Sequence, residues 1–130
     1  MLPLRYPRRW LLAGALILAV VLAAAFLPWL AGPTPRVPQG DKWMHGITFM
    51  LLALWFTGQY ARSHYIWIFV GLCAYGALIE LGQALIPYRT AEWLDLGADA
   101  AGALAGVLVA LLLTGGWSVY AERWLDERIG

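Results

Sequence analysis

The chain has 130 residues, of which 62% are hydrophobic and 13% charged, and a mean hydropathy of +0.66. A water-soluble domain is about half apolar and about a quarter charged, so this chain has too little polar surface for one and is matched to lipid. A net charge of +1 excludes a strongly basic nucleic-acid binder, and the single cysteine, Cys73, excludes an internal disulfide framework.

A membrane-crossing helix needs about 20 mostly apolar residues. Four stretches qualify: residues 10–30, 43–60, 65–86 and 94–113. The first follows Arg5, Arg8 and Arg9, and Ala23-Ala24-Ala25 resembles a signal-peptide cleavage site. Its apolar run exceeds the ~7–15 residues of a signal core, so it is predicted to be a retained span. Residues 31–40, rich in Pro and Gly, form an irregular loop, and short connections follow at 61–64 and 87–92. The fourth stretch carries a stripe of small residues, Ala98, Gly102, Gly106 and Ala110. Such a stripe lets helix backbones approach closely. Packing within the bundle is its first expected use, and homo-oligomer formation through Gly102/Gly106 its second. After Gly115-Gly116, residues 117–130 place Trp117, Tyr120, Trp124 and Leu125 at helical spacing among charges, the pattern of a short amphipathic helix on the membrane surface. The prediction is a single all-α membrane domain, 1–130: a bundle of four transmembrane helices with that helix appended.

Four spans put both termini on one side. That side holds Arg5, Arg8, Arg9, Arg62, Arg123 and Arg128, against Arg36, Lys42 and Arg89 on the other. Basic residues favour the cytoplasm, so both termini are predicted there. Trp29, Trp43, Tyr88 and Trp93 then mark the outer interface, and Trp10, Tyr60, Tyr65, Trp67 and Trp117 the inner one.

On this topology the polar residues of three helices converge. Asp41, Lys42 and His45 open the second span, Glu80 and Gln83 lie near the end of the third, Arg89 is in the following loop, and Asp95 and Asp99 open the fourth. At 1.5 Å per residue, Glu80 lies about 9 Å below the outer end. A lipid-facing carboxylate costs about 2.5–3.5 kcal/mol at mid-membrane, so Glu80 is expected between helices, near Lys42, Arg89 or His45. Helix-dipole attraction explains Asp41 and Asp95 without function, and snorkelling explains Lys42 and Arg89. Glu80 and Asp99, being deeper, resist those explanations. No nucleophile motif is present, and His45, Glu80, Asp95 and Asp99 lack a diagnostic metal-ligand spacing, so neither metal nor cofactor is predicted.

The pattern resembles the VanZ-like membrane proteins. Asp41-Lys42-Trp43-Met44-His45 is similar to their D-K-x-x-H, Glu80-Leu81-Gly82-Gln83 to their E-x-x-Q, and Pro87-Tyr88-Arg89 followed by Asp95 to their P-x-R…D. The run from Asp95 to Gly102 is similar to D-x-x-x-N-x-x-G, with Asp99 where Asn is usual. The resemblance implies a bacterial plasma-membrane protein of a family named for a teicoplanin-resistance phenotype. The expected function is binding of a lipid or cell-wall-precursor headgroup, or of a glycopeptide, in an outer-leaflet polar pocket. The alternatives are an intramembrane enzyme acting on a lipid-linked substrate through His45, Glu80 and Asp95, and third, a small transporter.

Overall fold

Where lipid offers no hydrogen-bond partner, every backbone N–H and C=O must be satisfied within the chain, and apolar stretches therefore coil into helices. The structure, a computed structural model, describes residues 1–26, 40–85 and 93–129; the side chains of Asp41, Lys42 and Trp93 lie outside that description. Its helices are α1 (Pro7–Phe26), α2 (Gly40–Thr57), α3 (Tyr65–Ala84), α4 (Trp93–Val109) and α5 (Trp117–Ile129). A 3-10 turn, Arg62–His64, leads into α3, and a π-helical turn, Ala110–Thr114, continues α4. Among the described residues, three segments are long and apolar enough to cross a membrane: Pro7–Phe26, Arg62–Ala84 and Leu94–Thr114. The apolar part of α2, Trp43–Thr57, is shorter. The predicted second span runs to residue 60, but α2 stops at Thr57, whose hydroxyl donates back to the Ala53 carbonyl at 2.7 Å.

α2 and α4 run parallel and make the closest contact in the bundle. A Cβ at Gly102 would overlap the Gly46 carbonyl oxygen, and one at Gly106 would sit 2.6 Å from both the Met50 carbonyl oxygen and the Ala53 Cβ. The small-residue stripe of α4 is thus occupied by α2 of the same chain. α3 runs antiparallel to this pair, and Phe49, Leu52, Ala53, Tyr65, Leu72, Ala103, Val107 and Ala110 fill the buried core. α1 is the outlying helix, and within it only Gly14 is buried, against Phe56 and Trp55 of α2. The Tyr75 hydroxyl donates to the Leu18 carbonyl at 2.6 Å and the Gln83 amide to the Ala25 carbonyl at 2.9 Å, which ties α1 parallel to α3.

The end of α2 meets α5. The last four carbonyls of a helix lack intrahelical partners and need others when buried. The Leu54 carbonyl accepts from the Trp117 indole at 2.7 Å, the Trp55 carbonyl from the Gln59 side chain at 3.2 Å, and the Phe56 carbonyl from the Gln59 amide at 3.1 Å. Just beyond the helix, the Gly58 carbonyl accepts from the Ser118 hydroxyl. The rings of Trp10, Trp55 and Trp117 cluster with centroids 5.3 to 5.5 Å apart. Over this cluster lies the segment before α1. Its Arg5 and Tyr6 amides donate to the Glu122 carboxylate at 2.7 and 3.1 Å, and the Trp10 indole donates to it at 2.7 Å. α5 therefore buries Ser118 and Glu122 and exposes Tyr120, Trp124 and Ile129. Trp117, predicted to share the face of Tyr120 and Trp124, turns inward instead.

Candidate functional site

The opposite end of the bundle holds the predicted polar residues, and helical spacing explains how they meet. Asp95 and Asp99 are four apart on α4, as are Gly76 and Glu80 on α3, so each pair shares a helix face. His45 precedes Gly46, where the backbones of α2 and α4 touch, and this approach brings the imidazole against α4.

His45 Nδ1 lies 2.7 Å from Asp99 Oδ1, and His45 Nε2 lies 4.0 Å from Asp95 Oδ2. His45, Glu80 and Asp99 each offer one nitrogen or oxygen, and these atoms all lie within 4.8 Å of one another. Asp99 is 0% exposed, Glu80 5% and Asp95 7%. An ionised carboxylate only accepts hydrogen bonds, so with Asp99 ionised the ring hydrogen is on Nδ1, and Nε2 turns its lone pair toward Asp95. The second oxygen of Asp99, Oδ2, is buried and accepts no hydrogen bond from any described residue. It faces α3 at Gly76, where a Cβ would come within 2.8 Å of it. Glycine at 76 thus makes room for a carboxylate between α3 and α4.

Of the eight residues predicted for this site, the structure gathers His45, Glu80, Asp95 and Asp99. Glu80 is buried between helices beside His45. Gln83 is buried nearby, with its amide bonded to the Ala25 carbonyl of α1. The side chains of Asp41 and Lys42, and the whole of Arg89, lie outside the described residues. The sequence reading missed Gly46 and Gly76, which set the helix separations here. The one signal for Gly76 is its position four residues before Glu80. It also missed Glu122 at the other end, one charge among several in a polar tail.

Chemically, the site offers one imidazole and three carboxylates in a largely apolar surrounding. It can accept hydrogen bonds, hold a proton between His45 and Asp99, or ligate a cation. The model of the VanZ/LLP1 family matches residues 17–114, a range that includes all four of these side chains. No curated protein and no solved structure matches the chain.

Proposed function

The chain belongs to the VanZ/LLP1 family, and on that premise we propose that it is a multi-pass protein of the bacterial plasma membrane whose polar site binds the headgroup of a membrane lipid or lipid-linked cell-wall precursor. The observation that carries this reading is the burial of Glu80, Asp95 and Asp99 beside the half-buried His45, drawn from three helices, at one end of an apolar bundle. An apolar bundle would insert at lower cost, so packing alone does not call for them. The distribution of basic residues supports an orientation with both termini in the cytoplasm and this end toward the outer leaflet. Lys42 and Arg89, three residues before His45 and six before Asp95, supply the positive charge for an anionic headgroup. Occupancy of the precursor headgroup is the route by which the protein contributes to resistance to teicoplanin-type glycopeptides.

Susceptibility testing decides this. A host expressing the wild-type chain should tolerate several-fold more teicoplanin than the empty-vector strain, and Glu80→Gln, expressed at equal membrane abundance, should lose that margin. Equal susceptibility of the wild-type and empty-vector strains overturns the resistance role. Headgroup binding by purified Glu80→Gln equal to that of the wild type overturns the site assignment.

A second reading is favoured by one feature: Asp99 holds the Nδ1 side of the His45 ring at 2.7 Å, the arrangement of an oriented imidazole base. The protein is then an enzyme on a lipid-linked substrate, and mass spectrometry of precursor incubated with it should show a changed product. Transport is less well supported, because the apolar core from Phe49 to Val107 separates the two polar ends and offers no relay among the described residues.

A further inference from the structure

We propose that His45, Glu80 and Asp99 form a binding site for a divalent transition-metal cation, with Asp95 orienting the imidazole. Three helices supply one ligand atom each, and all lie within 4.8 Å of one another. Ligands at about 2.0–2.2 Å around one ion stand roughly 3–3.5 Å apart, so the three side chains need only draw inward to share one ion. The fully buried Asp99 provides independent support, because its Oδ2 has no hydrogen-bond donor among the described residues and points across to the face of α3 that carries Gly76 and Glu80.

The donor set also selects the ion. One imidazole with carboxylates suits Zn²⁺ or Mn²⁺, whereas Ca²⁺ and Mg²⁺ prefer all-oxygen shells. A ligating histidine commonly points its other ring nitrogen at a carboxylate, which fixes the ring. Asp95, 4.0 Å from Nε2, stands where that partner belongs once Nδ1 turns from Asp99 to the ion. Three protein ligands leave a coordination position open. That position would take a phosphate oxygen of the bound headgroup, a part of the inference that rests on the function proposed above.

The test uses the full chain in nanodiscs, stripped with chelator and titrated calorimetrically with ZnCl₂ and MnCl₂. Saturable binding of one ion per chain is expected, weakened at least ~10-fold by Asp99→Asn and by Glu80→Gln and by a similar factor by Asp95→Asn. The chain has two histidines, so imidazole ¹⁵N signals of the wild type give a readout that needs no variant. Zn²⁺ should shift the His45 signals and leave those of His64 in place. Absence of binding by both ions, wild-type affinity in both Asp99→Asn and Glu80→Gln, or a shift confined to His64 overturns the metal site.

A second arm measures binding of dihexanoyl phosphatidic acid with and without Zn²⁺. Zn²⁺-dependent binding supports the bridge. Equal binding after chelation overturns the bridge and leaves the headgroup reading standing. Zn²⁺ binding with no lipid binding keeps the metal site and overturns the headgroup reading.

Discussion

Glu122 shows how one side chain can hold two distant stretches of chain together. Burial alone would raise its carboxyl pKa, but three donors, the Arg5 amide, the Trp10 indole and the Tyr6 amide, outweigh that and hold it below the ordinary glutamate value. A carboxylate whose folded-state pKa is depressed stabilises the fold above its unfolded pKa, and that contribution is lost as pH falls through the folded value. The melting temperature in detergent should therefore fall on acidification through and below the ordinary carboxylate range. Glu122→Gln should flatten that acid limb and cost about 1–3 kcal/mol at neutral pH, since it leaves one donor facing an amide NH₂. An unchanged acid limb in Glu122→Gln would remove Glu122 from this role. Residues at this scale were unevenly legible in the sequence. His45, Glu80, Asp95 and Asp99 stood out because ionisable groups are costly in an apolar stretch. Glu122 did not, because a glutamate among Arg123, Asp126 and Glu127 reads as solvated. Gln83 was marked for the site by its polarity, and nothing in the sequence signals that its amide is bonded to a carbonyl of α1.

Among the elements, α2 and α4 depend on the absence of side chains where they touch. At Gly102 the neighbouring atom is the backbone carbonyl of Gly46, which cannot swing aside as a flexible side chain would. Gly102→Ala should therefore push the helices apart, lower the melting temperature by several degrees, and disturb the His45–Asp99 contact three residues away. A Cβ at Gly71 of α3 would meet nothing within 4 Å, so Gly71→Ala should be neutral or slightly stabilising and serves as the control. Equal effects of the two substitutions on thermal unfolding would refute this account. The helices themselves were legible from the lengths of the apolar runs, and the stripe from its four-residue period. The partner of the stripe was not, because small residues suit a neighbour in the same chain or in another equally well. Helix ends were also hidden: Trp55, Phe56 and Tyr60 are uniformly apolar in character, and only the hydrogen bonds of Thr57 and Gln59 mark where α2 stops. The same uniformity hides the π turn in Ala110–Thr114.

For the molecule as a whole, the predicted orientation makes the two polar ends chemically unlike. One gathers carboxylates and an imidazole; the other carries arginines, with Arg5 and Arg9 over Tyr6, Arg123 over Tyr120 and Arg128 over Trp124. Reporter fusions after residue 130 and within 33–40 should report opposite compartments, and a shared compartment would overturn the four-span arrangement. The bonds that reach Glu122 from Arg5, Tyr6 and Trp10 join residues 112 to 117 positions apart in the chain. During synthesis at about 5–20 residues per second, the segment before α1 emerges several seconds before its acceptor exists. Helices α1 to α4 can insert in order as they are made, while the clasp between the two ends of this chain closes only after α5 has been translated. Fastening the bundle therefore waits on the synthesis of a helix that lies outside it.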